Sequence, residues 1–263
     1  MIELKDIMKY MEKVAPLNLK EDFDNVGLMV GDKKQLIKKV LFALDCTLEV
    51  IEESKELEVD LIITHHPLIF SRPKSITTDT LQGRKIIDLI KNNISLYSSH
   101  TNLDSVSGGL NETIVKMLGF ESTEILEESK IFTNKNSGLG RMIRLEKEVE
   151  LSGFIEKVKK TLNISTLRVV DGKRKVKNIA VINGSGQSFL DKAVKKGADC
   201  VITGDTTYHF ALDYKEMGVT IIDTGHFSSE WLVFLRTMEQ IKEEFKEIEF
   251  IVSRKVEDPY KFI

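Results

Sequence analysis

The feature that most constrains the fold is an order of amphipathic helices and short apolar runs that occurs twice along the chain. Each half reads as helix, two strands, helix, strand, helix, strand and helix. Residues 59–66 match residues 198–205 in their apolar pattern, at an offset of 139 positions. The pattern predicts an α/β fold of two similar repeats, each with a mixed, mostly parallel sheet flanked by helices.

The two repeats are predicted at residues 1–127 and 128–263. A polar stretch at residues 127–137 is the predicted join, and no low-complexity linker separates the halves. That absence favours packed or interleaved repeats over freely hinged ones. The last predicted helix, over residues 229–246, carries an apolar stripe that is typical of core or subunit packing, and we expect it to pack on the first repeat.

The composition is that of an ordinary soluble globular protein, with 41% hydrophobic and 30% charged residues. A chain of 263 residues can bury a sizeable core without disulfides or structural metal. The net charge of -3 argues against a polyanion-binding surface. The basic stretch at residues 173–177 has no interleaved aromatic residues, so it is predicted to be a solvated turn between strands. We therefore expect no nucleic-acid partner.

The amino-terminal residues lack the apolar core of a signal peptide, and no apolar run approaches the roughly 20 residues that span a bilayer. These features predict a cytoplasmic protein with no membrane partner. Cys46 and Cys200 are isolated in the sequence and lack CxxC spacing. Both are expected to be buried, reduced and without a role in zinc or redox chemistry.

The histidines cluster in three short segments, each at or just beyond an apolar strand-like run. Ligands bind at the carboxyl ends of strands in open α/β sheets, so these imidazoles are candidates for one shared site. The five are His65, His66, His100, His209 and His226.

The pair His65 and His66 is followed by Pro67. Adjacent residues that leave a strand point to opposite faces, so both can serve one site only if the chain turns there, and Pro67 favours such a turn. The alternative is that each is a hydrogen-bonded structural histidine. His209 lies in the equivalent loop of the second repeat, where it is either a structural residue or a group that faces substrate or a metal ligand.

Two further pairs follow the last strand of each repeat: His100 with Asp104, and His226 with Glu230. In each pair a carboxylate follows a histidine by four residues. Imidazoles and carboxylates supplied by both repeats match the ligand set of a dinuclear divalent site. His226 and Glu230 also lie about one helical turn apart, so both can reach the same point. The alternative for that segment is a serine-capped helix N-terminus with an acidic first turn.

Motifs for other chemistries are missing. The glycines at residues 184–186 are too few for a phosphate-binding loop, and no GxGxxG fingerprint or P-loop is present. A Gly-x-Ser-x-Gly elbow is also absent, which leaves no basis for a serine hydrolase.

Together, five segments of this sequence resemble the Nif-three-like dinuclear-metal proteins, often labelled GTP cyclohydrolase I type 2. The segments are FDNVGLMVG (23–31), THHPLIF (64–70), HTNLD (100–104), TGD (203–205) and DTGHFSSE (223–230). The resemblance implies two intertwined α/β repeats, a dinuclear metal centre between them and a ring-shaped homohexamer. Carried over position by position, it implies the metal ligands His65, His66, Asp104, His226 and Glu230.

The resemblance favours a metal-dependent hydrolase of the cyclohydrolase type that acts on GTP or a related purine nucleotide. It would hold two divalent ions per chain, and the ligand types suit zinc, iron, manganese and nickel alike. A divalent ion lowers the pKa of bound water to about 7 and so supplies the nucleophile for opening the purine ring. His100 or His209 is the candidate proton shuttle, because imidazole has an unperturbed pKa of about 6.5.

The alternative function is a non-enzymatic metal-binding scaffold or metal chaperone assembly. An open coordination position would distinguish the two, because a catalytic centre must admit water and a closed structural site does not.

Overall fold

The computed structural model describes residues 2–130, 136–261 and 263. The helices are α1 (Leu4–Val14), α2 (Leu48–Glu56), α3 (Leu81–Lys91), α4 (Thr101–Ser105), α5 (Leu110–Met117), α6 (Leu151–Leu162), α7 (Leu190–Lys195), α8 (Tyr208–Glu216) and α9 (His226–Glu244). The strands are β1 (Ile2–Glu3), β2 (Gly27–Val30), β3 (Leu36–Ile37), β4 (Lys39–Ala43), β5 (Leu61–Thr64), β6 (Ser95–Ser98), β7 (Glu124–Glu128), β8 (Gly138–Val149), β9 (Arg168–Val170), β10 (Val176–Ser185), β11 (Cys200–Gly204), β12 (Thr220–Asp223) and β13 (Glu249–Val252).

Two compact units divide the chain. Unit 1 consists of Met1–Leu103 and Met238–Glu257, and unit 2 consists of Asp104–Thr237 and Asp258–Ile263. The division differs from the two predicted repeats, 1–127 and 128–263, because β13 pairs with β4 of unit 1. The repeat boundary itself stays a prediction.

Unit 1 contains a mixed sheet with the strand order β13-β4-β5-β6-β2. The strands β13, β4, β5 and β6 are parallel, and β2 runs antiparallel to β6 at the edge. The central strand β5 is buried along its whole length, as a parallel strand covered on both faces should be. One face of this sheet contributes to a core with residues of α2 and α3, including Leu41, Ile51, Ile62 and Leu89.

Unit 2 contains a mixed sheet with the strand order β7-β8-β10-β11-β12-β9. Its centre repeats the arrangement of unit 1, because β10, β11 and β12 are parallel and β9 runs antiparallel to β12. A hairpin of β7 and β8 extends the sheet beyond β10. The core of unit 2 includes Ala180, Leu190, Val201 and Ile221. Both units are therefore mixed α/β structures with partly parallel sheets, and the predicted fold class is confirmed.

In the two large sheets, the edge strands β7 and β13 were missing from the sequence prediction. Each is paired on one side only, and the terminal residues of each strand are exposed. The five residues of β7 include three glutamates, which hide the apolar signal of a strand. The predicted polar join at residues 127–137 overlaps this hairpin of unit 2. Its residues 131–135 lie outside the described part of the chain.

Residues 173–175 lie between β9 and β10, so the basic stretch begins as a connection between strands, as predicted. Cys46 and Cys200 are free and buried, and burial raises the pKa of both thiols, to about 12 for Cys46. Of the helices within the described residues, not one combines the length and apolar character that crossing a membrane requires.

A buried arginine fixes the start of β8 in unit 2. The side chain of Arg141 is 1% exposed, and its Nη1 donates to the carbonyl oxygens of Gly138 (2.7 Å) and Gly140 (2.9 Å). Its Nη2 donates to the Val106 carbonyl (3.3 Å) and lies 3.9 Å from a Glu112 carboxylate oxygen. The guanidinium thus ties the loop after α4 to the sheet.

We predict that Arg141→Met lowers the free energy of unfolding by about 3 kcal/mol, because it leaves buried carbonyl oxygens without donors. The matched control is Arg144→Met on the same strand, where the side chain is exposed. That substitution should change stability by less than about 0.5 kcal/mol. Urea unfolding followed by circular dichroism measures both, and equal effects would contradict the structural role of Arg141.

Candidate functional site

The parallel strands of unit 1 bring three histidines to one edge of the sheet. Because β4, β5 and β6 are parallel, their carboxyl ends meet at the same edge. His65 and His66 directly follow β5, and His100 is the second residue after β6. One ring nitrogen of each can be chosen so that all three lie within 4.8 Å of one another. Unit 1 therefore holds a compact group of three imidazoles.

The chain turns at His65 and His66, as Pro67 predicts. The His66 backbone N–H donates to the Leu44 carbonyl (3.0 Å), and the Thr64 hydroxyl donates to the His66 carbonyl (2.8 Å). The ring centroids of His65 and His66 are 5.0 Å apart. The side chains of His65 and His66 can therefore serve one site, although consecutive residues of an extended strand point to opposite faces.

Each imidazole of unit 1 is oriented through its Nδ1 atom. Because the partner atoms are carbonyl or carboxylate oxygens, Nδ1 must be the donor, and the neutral ring then carries its lone pair on Nε2. This is the arrangement of metal-binding histidines, whose other ring nitrogen is held by an oxygen. The partners are the Ser99 carbonyl for His65 (2.9 Å), Asp45 for His66 (3.0 Å) and Asp24 for His100 (2.9 Å).

The carboxylate of Asp24 is a fixed negative acceptor. It accepts hydrogen bonds from the Thr101 hydroxyl (2.6 Å) and backbone N–H (3.1 Å) in addition to His100. Burial alone would raise the pKa of Asp24, but the hydrogen bonds from His100 and Thr101 outweigh burial and lower the pKa to about 2. Asp24 is therefore ionised at neutral pH.

Unit 2 brings an imidazole and a carboxylate together in the first turn of α9. The His226 Nε2 atom lies 3.1 Å from a Glu230 carboxylate oxygen, and Glu230 is 2% exposed. The His226 Nδ1 atom lies 2.8 Å from the carboxylate of Asp205, the residue that directly follows β11. The predicted approach of His226 and Glu230 on one helical face is thus present in unit 2.

The helix α9 begins at His226, three residues before the predicted start at 229. Ser229 does not cap it: the hydroxyl donates to the His226 carbonyl (2.7 Å) and accepts from the Gly184 backbone N–H (2.9 Å). Ser229 therefore links the first turn of α9 to the end of β10.

Asp104 is another buried carboxylate of unit 2. It lies in α4 and is 8% exposed, and its Oδ1 atom accepts a hydrogen bond from the Asn183 side-chain amide (2.8 Å). Buried carboxylates are costly unless they are paired, hydrogen-bonded or bound to a cation. Imidazole nitrogen and carboxylate oxygen are the donor set of zinc, iron, manganese and nickel, so the residues present fit a divalent ion.

A glycine explains why the second unit lacks the histidine pair of the first. By the offset of 139, Gly204 corresponds to His65 and Asp205 to His66. A Cβ atom on Gly204 would lie 2.7 Å from the Gly225 carbonyl carbon and 2.8 Å from the His226 backbone nitrogen. The entry to α9 leaves no space for a side chain there.

His209 lies on α8, where it is exposed and contacts the Tyr208 ring (centroids 5.4 Å apart). Among the described residues it belongs to neither of the groups of three side chains that could hold a metal ion. Its role as a proton shuttle stays a prediction. His100, the other predicted shuttle, lies with His65 and His66.

Sequence reasoning missed the side chains that hold the histidines. Asp45 was not considered, and Asp24 and Asp205 were quoted within motifs without a role. A signal was available for two of them, because Asp205 directly follows β11 and Asp45 follows β4 by two residues. Carboxylates at the carboxyl ends of parallel strands are natural partners for imidazoles at the same edge.

Comparison with known proteins identifies the family. The family model Duf34/NIF3 (NGG1p interacting factor 3) matches residues 2–259. A Clostridium perfringens protein named GTP cyclohydrolase 1 type 2 homolog is 53% identical over 264 residues, covering 100% of both chains. A protein of the same name from Clostridium acetobutylicum is 45% identical, covering 99% of each. The crystal structure of Staphylococcus aureus hypothetical protein SA1388 is similar at a TM-score of 0.88 and 32% identity, covering 99% of both chains. The chain therefore belongs to the Duf34/NIF3 family.

Proposed function

We propose that this protein is a metal-dependent hydrolase of the GTP cyclohydrolase type, acting on GTP or a related purine nucleotide. The observation that carries the proposal is that each unit holds a set of metal-ligand side chains oriented by hydrogen-bond partners. The names of the relatives support the reaction class. The proposal includes two divalent ions per chain and the homohexamer that the resemblance implies. The proposed ligands are His65, His66, Asp104, His226 and Glu230.

In this proposal the chain's own contribution to the reaction is to orient its histidines. When bound, divalent ions act as Lewis acids and lower the pKa of water. Asp45 and Asp205 hold His66 and His226 by Nδ1, which increases the basicity of the ring and fixes its direction. His100 is the better-placed proton carrier in this proposal, because its Nδ1 atom is held by the buried Asp24 carboxylate and it lies with His65 and His66. Its side chain is 19% exposed, so it can exchange a proton with solvent.

A pair of exposed aromatic rings in unit 1 supports the proposal that the substrate contains a planar base. Phe23 and Phe70 are 64% and 47% exposed, with ring centroids 6.1 Å apart. Phe23 precedes Asp24, which holds His100, and Phe70 lies in the loop that connects His65 to α3. The Asn25 side-chain amide donates to the Ile69 carbonyl (2.5 Å) and ties these two loops together. The rings offer a stacking surface for a purine base beside the imidazole group.

We predict that the purified protein binds two divalent ions per chain, and that His65→Ala, His66→Ala and Glu230→Ala each lower this stoichiometry. Each substitution removes one ligand atom, and the remaining donors bind the ion more weakly. Elemental analysis after dialysis against a weak chelator measures the metal content. His209→Ala is the matched control and should keep both ions, because His209 belongs to neither group. Wild-type stoichiometry in all three ligand variants would remove both the hydrolase and the metal-scaffold function.

The activity test is ring opening of GTP by the protein loaded with iron, zinc, manganese or nickel. We expect loss of the guanine absorbance and release of formate with at least one of these metals, and no turnover after chelation. Absence of turnover with every metal would exclude GTP as the substrate. Full metal binding without turnover of any purine nucleotide would support the scaffold or chaperone alternative.

We predict that Phe23→Ala and Phe70→Ala raise KM for the nucleotide about fivefold or more with little change in kcat, because stacking on a base contributes about 1–3 kcal/mol. The control is Tyr260→Ala, which removes an aromatic ring that is 77% exposed. It should leave both constants unchanged. An unchanged KM in both phenylalanine variants would show that the ring pair does not contact the base.

A further inference from the structure

Asn183, near the carboxyl end of β10, donates hydrogen bonds to two buried carboxylates of unit 2. Its Nδ2 atom lies 2.8 Å from Asp104 Oδ1 and 3.5 Å from Glu230 Oε1. An amide nitrogen carries two hydrogens, so one can point to each carboxylate. Asn183 is 8% exposed, so little of its side chain is open to water.

The two carboxylates determine the orientation of the amide. The Asn183 Oδ1 atom is buried and accepts no hydrogen bond among the described residues. A buried acceptor without a donor costs about 1–3 kcal/mol. This cost alone would favour the rotated amide, in which the nitrogen and the oxygen exchange places. Rotation would place this oxygen against the carboxylate oxygens of Asp104 and Glu230, where the charges repel. The amide therefore stays with its donors toward the carboxylates.

The backbone around Asn183 is fixed from both sides. The Asn183 backbone N–H donates to the Asn111 side-chain oxygen (3.0 Å), and the Asn111 amide donates to the Asp104 carbonyl (3.1 Å). Gly184 adopts a φ of 59°, and a Cβ atom there would lie 2.2 Å from Glu230 Oε1. The glycine thus lets the strand end approach the Glu230 carboxylate directly, which explains why a glycine follows Asn183.

We infer that Asn183 is a positioning residue that holds the Asp104 and Glu230 carboxylates in place to receive a divalent cation. The inference rests on the metal binding in the proposed function. A neutral amide suits this role because it orients the two anions without cancelling their charge. A lysine at the same place would neutralise them and compete with the ion.

The test compares full-length wild type with Asn183→Leu, which keeps the approximate side-chain size and removes the amide. Chelator-stripped protein is titrated with Mn²⁺ by calorimetry well below Tm. We expect Asn183→Leu to weaken Mn²⁺ binding about 10–100-fold, the usual effect of losing a group that orients metal ligands. A purely structural role for Asn183 would lower Tm and leave the Kd of the folded protein unchanged.

The matched control is Asn178→Leu on the same strand. The Asn178 side-chain amide lies 3.4 Å from the Asp199 carboxylate, and neither residue is a proposed ligand. This variant should bind Mn²⁺ as the wild type does. A Kd for Asn183→Leu within twofold of wild type would overturn the inference while leaving the proposed function in place. Absence of divalent-ion binding by the wild type would instead remove the proposed function and the inference with it.

A second variant, Asn183→Asp, tests the same inference if Asn183→Leu does not fold. It keeps the side-chain size and places a third carboxylate beside Asp104 and Glu230, which repel it until a cation is bound. We expect a lower Tm than wild type without metal and a larger increase in Tm on saturation with Mn²⁺. An increase equal to that of the wild type would contradict the inference.

Discussion

Parallel pairing of three consecutive strands is the constraint on which the rest of each unit depends. Backbone hydrogen bonds join β4, β5 and β6 in unit 1, and β10, β11 and β12 in unit 2. Within each sheet, the carboxyl ends of the three strands lie at one edge. Loops that are far apart in sequence therefore begin side by side. Within each sheet, the polar side chains that follow these strands lie close together because strand pairing fixes where each loop begins.

The two units use this shared geometry for different chemistry. Unit 1 places three imidazoles after its strands, whereas unit 2 holds the buried carboxylates of Asp104 and Glu230 and the imidazole of His226. The exchange of His65 and His66 for Gly204 and Asp205 has a steric origin in the close approach of Gly204 to Gly225. Asp205 corresponds in sequence to His66, and its carboxylate orients the ring of His226. Two sheets with a similar central arrangement thus differ in the few residues after their strands.

Much of the fold was predictable because buried strands and amphipathic helices leave strong patterns. The limits of α3 and α5 agree with the apolar periodicity at residues 81–91 and 110–117. The edge strands β7 and β13 escaped prediction because a strand paired on one side can carry charged side chains. The pairing of β13 with β4 was not predicted either, since it spans about two hundred residues and has no local signature.

The candidate site was predictable to the extent that its residues form short motifs. The proximity of His65, His66 and His100 followed from their places after parallel strands. Asp24 and Asn183 did not follow, because the sequence shows only that they are polar. Their partners are set by tertiary packing, as the hydrogen bond between Asp24 and His100 illustrates across 76 positions.

The two-segment composition of unit 1 has a consequence for biosynthesis. Its edge strand β13 is translated only after all the residues of unit 2 up to Thr237. Glu53 at α2 accepts hydrogen bonds from the Ser253 hydroxyl and the Arg254 backbone N–H, so contacts at the end of β13 also wait for this late segment. A ribosome-bound chain can thus form the central pairs of unit 1 early but completes that sheet last. Unit 1, with its three imidazoles, therefore gains its final edge at the end of synthesis.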